Sequence, residues 1–444
     1  TVSVEIAASQ GAPASVLGTE HRVNTETFGD QVGPAVSGLL DGGHVVVWMS
    51  FDQDGDHYGV FGQRYDGLGA AVGTAFQINT TIANEQGDPN VAGLLDGGFV
   101  TVWDSVSQDG NGSGIFGQRY DAAGDRVGVE FQVNTTTLSD QLDPTVTALA
   151  GGGFVVSWTD RGGADGSGDG VFAQVYDAAG AVVGGEIQVN TFVSSTQDQL
   201  GSVVQPLAGL ADGGFVAVWG SSPSQDGDSW GVFGQRFDAA GNAVGSEFQV
   251  NTFVSSHQLY ASVGALSDGG YVVSWASFNQ DGSDYGIFAQ RYDSNGNTVG
   301  SEFQVSTFIS FRQIYPVVDG LEDGGFVIAW TDQAGHDGSG NGIFGQRYDA
   351  AGARLGGEFR INDTVSGTQE LAALSARGDG GYVVAWESFD GSSDGIYAKV
   401  FDAVADLPPP PPSVLGTEHR VNTTTLGNQV RAAVDGLSDG GHVV

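Results

Sequence analysis

The chain of 444 residues contains no cysteine, so neither a disulfide nor a thiolate zinc site can be built from it. It has no run of about 18 apolar residues of the kind that spans a bilayer as a helix. Its first residues, TVSVEIAASQGAP, lack the charged start and long apolar stretch of a signal peptide, and no methionine begins it, so it is expected to be a piece of something longer. Basic residues are scarce. Fifteen Lys and Arg face 53 Asp and Glu, a formal charge of -38, and such a field repels nucleic acid and anionic membranes, which excludes both as partners. That carboxylate excess needs salt, bound divalent cations or dispersal over exposed turns. All three favour a secreted or cell-surface location.

Helical periodicity is missing as well, and what takes its place is a repeat. DGGHVVVW, DGGFVTVW, GGGFVVSW, DGGFVAVW, DGGYVVSW, DGGFVIAW and DGGYVVAW end at Trp48, Trp103, Trp158, Trp219, Trp275, Trp330 and Trp386, at spacings of 55, 55, 61, 56, 55 and 56 residues. A fixed period over seven copies indicates a repeat architecture. Each copy reads as four short strands with alternating apolar positions and Gly-rich turns, for example PNVAGLL, FVTVW, GIFGQRYD and RVGVEFQVNT in the second. The fold class is therefore all-β, a seven-bladed propeller of four-stranded antiparallel blades.

The ends carry the closure. The fourth-strand string follows copies one to six but not copy seven, where GIYAKVFDAVADL runs into Pro408 to Pro412; it stands instead at 16–25 as VLGTEHRVNT. That segment is predicted to pair near Ile396 to Phe401 and complete the last blade. Residues 15–406 then form the propeller and 407–412 a Pro-rich linker. Residues 1–14 are a linker or the end of a preceding segment, and 413–444, which repeat 15–46 at a displacement of 398, begin a further, truncated propeller.

The recurring tryptophans read as packing between blades rather than a sugar platform. The third-strand arginines, such as Arg64 and Arg119, are expected to pair across strands with fourth-strand glutamates such as Glu130. Glutamines Gln31, Gln86, Gln141, Gln199, Gln258, Gln313 and Gln369 precede the first strands and read as backbone-satisfying groups or a ring of amides at the channel mouth. Loops between second and third strands are acidic and Gly-rich. Asp52, Asp54, Asp56, Asp109, Asn111, Asp226, Asp228, Asp281 and Asp284 are candidate Ca2+ ligands there, against the alternative of polar hairpin loops without metal. Tyr58, Trp230, Tyr260 and Tyr285 are candidate glycan contacts on the same face, where the variable segments also emerge.

The blade string, typified by DGGFVTVW followed by GIFGQRYD and EFQVNT, resembles tandem repeats of large, type I secreted, RTX-adhesin-like surface proteins of Gram-negative bacteria. The loop of Asp52, Asp54 and Asp56 is similar to the calcium loop of FG-GAP propellers. The nonapeptide array of RTX domains is absent, and Gly59 stands where FG-GAP loops carry a last acid. The resemblance implies a calcium-exposed surface protein. The expectation is accordingly a non-enzymatic module, a structural or adhesive bead in a tandem-propeller adhesin, scaffold or filament. Its partners would be neighbouring copies or tandem propellers, or surface glycans if it is instead a lectin-like propeller. No nucleophile motif and no blade departing from its siblings argues for catalysis.

Overall fold

The computed structural model describes residues 19–402 except 195, 200–203, 223, 224 and 390–392, together with two short strands, Asp435–Gly436 and His442–Val443, which pair antiparallel in a separate unit, Pro409–Val444. The segments read as preceding linker, Pro-rich linker and most of the following propeller lie outside the described residues. Among the described residues there is no helix.

Seven antiparallel sheets make the ring. Blade one consists of Gln31–Gly38, His44–Phe51, Tyr58–Tyr65 and Ala71–Gln77 in that order, and blades two, three, five and six repeat it. Blade four divides its first strand into Thr196–Asp198 and Leu207–Gly209, both paired to Phe215–Ser222. Blade seven takes its fourth strand from the other end of the propeller: His21 pairs with Ala398 and Arg22 with Tyr397, inside the span the sequence indicated.

Alternation along the strands sets the packing. All seven repeat tryptophans are at most 1% exposed, and each packs on a neighbouring blade as well as its own, Trp330 of blade six against Val272 and Ile287 of blade five. Where a second strand begins and a third ends, rings stack across the pair, as Phe99 on Tyr120 at 4.5 Å. At roughly 25 cal/mol per Å2 of apolar surface removed from water, this repeated interface is the main cohesive force of the ring.

First strands line a central cavity of about 220 Å3. It narrows at the face bearing the DGG turns, because first strands end in Gly38, Gly93, Ala148, Gly209, Ala265, Gly320 and Ala376 and approach backbone to backbone; a Cβ at Gly320 would collide with the Ala265 carbonyl. Gln205 of blade four donates across this cavity to the Leu374 carbonyl of blade seven at 3.0 Å. The longer loops lie on the opposite face.

Candidate functional site: the loop-face mouth of the channel

A hydrogen-bonded hub organises that face. At the end of the fourth strand in six of the seven blades, an asparagine accepts the amide of the same blade's third strand and donates to the glutamine opening the next blade. Asn79 accepts from Val60 at 2.9 Å and donates to Gln86 at 2.9 Å and Asp54 at 3.2 Å. The glutamines are thus interblade latches. In blade four the latch is Gln197, reached by Asn190 at 3.2 Å, not Gln199; the longer loop displaced the apparent repeat by two positions.

The expected cross-strand Arg–Glu pairs do not form. Arg64 donates to the Ala122 carbonyl of the following blade at 2.8 Å, while Arg236 and Arg347 reach Asp212 and Asp323 of their own turns, each at 3.1 Å. Glu130 instead accepts from the Thr80 amide of the preceding blade at 2.7 Å. Arg64 and Glu130 thus clasp neighbouring blades, a role invisible to pairing within one hairpin.

The acidic loops are similarly engaged. Asp54, Asp109 and Asp281 each cap their own turn, through the amides of Asp56, Asn111 and Ser283, and receive Asn79, Asn134 and Gln304 respectively on the second oxygen. Asp226 caps the Asp228 amide. Gly59 is required because a Cβ there would collide with the Asp54 carboxylate, and Gly231 stands in the same relation to Asp226. Asp56 and Asp228 accept the amides of Asn84 and Ser256 in the next blade's entry loop, and Asp284 lies 3.7 Å from Arg312. Asp52 holds positive φ at the loop's start, its amide on the His57 carbonyl. No group of three or more His, Asp or Glu side chains is arranged to hold a metal among the described residues.

The glycan candidates separate. Trp230 is half-buried, its carbonyl receiving the Gln258 amide. Tyr58 stands edge-on to Phe51. Tyr285 is buried beneath the Arg312 guanidinium, 5.2 Å from its ring. Tyr260 meets a residue that sequence reasoning missed, Tyr315, edge to face at 4.5 Å.

These two tyrosines belong to a ring of bulges. Each regular first strand shifts register just after its latch glutamine, and the residue at the shift has positive φ: Gly33, Asp88, Asp143, Tyr260, Tyr315 and Leu371. A bulky residue at φ near 55° is strained, and such strain concentrates at binding and catalytic sites.

Outside the bulges lies the residue that follows each tryptophan. Five blades carry Met49, Thr159, Gly220, Ala276 and Thr331 there; blades two and seven carry buried acids, Asp104 and Glu387. Glu387 Oε1 accepts the Gly33 amide at 2.6 Å. Burial, with Glu370, Asp394 and Asp30 nearby, pushes its carboxyl up to about 8 against the opposing effect of that amide. Burial, then Asp88, Asp143 and Glu85, holds Asp104 well above the usual carboxylate range, and its Oδ1 has no hydrogen-bond partner. Burial, then Asp30, Glu85, Glu387 and Asp394, raises the Tyr58 phenol. An acidic arc thus runs through blades seven, one, two and three, and an aromatic arc through five and six.

No family model matches the chain, and no curated protein matches it. Solved structures do match in fold. The polysaccharide lyase Uly1 superposes with a TM-score of 0.53 at 10% identity, over 86% of this chain and 94% of that one. A protein of unknown function from Dyadobacter fermentans superposes with a TM-score of 0.50, also at 10% identity, over 86% and 98%. The expectation of a non-enzymatic module is corrected by these findings. Its premise, that no blade departs from its siblings, fails at Asp104 and Glu387, and among the solved propellers of this shape is a carbohydrate-cleaving enzyme.

Proposed function

We propose that this propeller cleaves glycosidic bonds by acid–base catalysis at the loop-face mouth of its channel. The observation that carries the reading is Glu387, a buried carboxyl beside the first-strand bulge of blade one, tied to the Gly33 amide and faced by Glu370, Asp394 and Asp30. A carboxyl held protonated near neutrality beside further carboxyl groups is the pairing that glycoside hydrolysis requires. Glu387 is the proton donor to the leaving oxygen, and a second carboxyl of the cluster takes the proton of the attacking water. The Tyr260–Tyr315 pair supplies ring faces for sugar stacking. The fold likeness to a polysaccharide lyase is consistent with a carbohydrate substrate and sets no residue's role.

The test is incubation with a panel of purified oligosaccharides, reading new reducing ends and, separately, the ultraviolet absorbance of unsaturated products. Reducing ends without that absorbance, lost in Glu387→Gln, support hydrolysis. Unsaturated products would replace it with elimination, and no product from any glycan would remove the catalytic reading.

A further inference from the structure

The mouth has a charge asymmetry that bears on which glycan it takes. Resting on the reading above, we propose that it takes a glycan chain bearing amino sugars, with sugar faces on the Tyr260–Tyr315 pair and ammonium groups against the arc of Asp88, Asp104 and Asp143.

Two independent observations carry this. The first is Asp104, 5% exposed, whose Oδ1 has no hydrogen-bond partner. The equivalent side chains of other blades are matched: Thr331 Oγ1 receives the Leu371 amide at 3.2 Å, Met49 Sδ the Asp88 amide at 3.2 Å, and Glu387 the Gly33 amide. Room for the Asp104 carboxylate exists because its cross-strand neighbour is Gly87, where a Cβ would lie 2.9 Å from Oδ1. Other blades place Val32, Leu142, Leu259 or Ile314 opposite this position. A buried acceptor without a donor is costly, and an ammonium supplies up to three donors together with the charge that favours the ionised form of Asp104, which burial and the neighbouring acids otherwise oppose.

The second is the strained aromatic pair. Tyr260 and Tyr315 hold φ of 59° and 54°, half-buried with their rings edge to face at 4.5 Å, and burial, then the neighbouring Tyr260, raises the Tyr315 phenol to about 12. The cation beside them, Arg312, already faces Asp284 and the Tyr285 ring. A uronate chain would bring its carboxylates onto the acidic arc of Asp88, Asp104 and Asp143. A chain of glucosamine brings ammonium groups to that arc instead.

The experiment is calorimetric titration of the full chain with three probes, a glucosamine hexasaccharide, cellohexaose and hexagalacturonate, at low ionic strength and mildly acid pH, where the amine carries its proton. The glucosamine chain is expected to bind at least about 10-fold more tightly than cellohexaose, with hexagalacturonate weakest and the preference shrinking as salt rises. Asp104→Asn should reduce the preference to about 2-fold or less, and Glu85→Gln, an exposed substitution with little bearing on folding, should weaken it in the same direction. Glu322→Gln, on the opposite face, should change none of it. Hexagalacturonate binding as tightly as the glucosamine chain overturns the proposal, as does the absence of binding by any probe. Selective binding of the glucosamine chain without cleavage leaves the proposal standing and removes only the catalytic reading; cleavage confined to the other two does the reverse.

Discussion

Glu387 in the last blade accepts the amide of Gly33 in the first, 2.6 Å away and 354 positions apart in the chain. The same bond that closes the ring therefore orients the proposed acid. Glu387→Gln preserves shape and the acceptor while removing the transferable proton, so turnover should fall by about 100-fold or more with the fold intact, read as the initial rate of reducing-end release. An unchanged rate would exclude Glu387 as the acid.

The same substitution should also move stability, in a direction fixed by the shift. In the folded chain Glu387 holds its proton up to about pH 8, whereas the unfolded chain releases it near 4.5. Folded protein thus binds the extra proton between those values, and wild-type stability falls as pH rises through that window. Gln carries no such dependence. The melting temperature of Glu387→Gln relative to wild type should climb from pH 4.5 to 8 and then level off; a flat difference would contradict it.

His44 makes the opposite prediction. It stacks on Tyr65 at 4.7 Å, where other blades use Phe99, Phe154 or Tyr271, and burial, with Arg377 and His21 nearby, lowers its imidazole to about 3. The unfolded chain takes up that proton below about 6.5, so this site loses stability as pH falls from 6.5 towards 3. His44→Phe should raise the melting temperature, and by more at pH 5 than at pH 7.5.

What the sequence made legible follows from repetition. Seven identical needs, the tryptophan packing and the turns, write themselves seven times, and the missing fourth strand located the closure at His21. The site is where repetition fails, and single differences such as Asp104 against Thr159 or Tyr315 against Asp143 look like drift until a register places them on one rim. The bulge is the hidden step: it displaces Asp88 and Tyr260 by a positive-φ register shift that period-two alternation does not anticipate. The Arg–Glu assignment failed for a related reason, since hairpin adjacency says nothing about contacts between blades.

The asparagine hub allows an internal comparison. Blade five ends in Ser306 instead of asparagine; its hydroxyl still receives the Ile287 amide at 3.0 Å, but Gln313 Oε1 is left without a partner. Asn79→Ser should accordingly keep the Val60 bond and cost about 1 kcal/mol, while Asn79→Ala strands that buried amide and should cost about 2 to 4 kcal/mol. Chemical denaturation of both variants measures the order; equal losses would mean that the Val60 bond contributes nothing.

Closure puts the greatest demand on a short segment. Two residues, His21 and Arg22, form the strand, yet its flanks add the Val23 amide to the Ile396 carbonyl at 2.7 Å, Asn24 Oδ1 to the Ile396 amide at 2.8 Å, and Glu20 to the Thr364 amide at 3.0 Å. Asn24 also donates to Gln31 at 2.6 Å, so the segment joins the last blade to the first. Removing the chain through Thr25 leaves Asp394–Phe401 as an unpaired edge and opens the Val23 contact with Trp48 and Ile396 in one cluster. That truncation should lower the melting temperature by more than Asn79→Ala does. A synthetic peptide of residues 19–25 added in excess should recover part of the loss by strand addition, whereas the same peptide with Asn24 replaced by alanine should recover less. Truncated protein melting with the intact chain would mean that the ring is held by its blade interfaces alone.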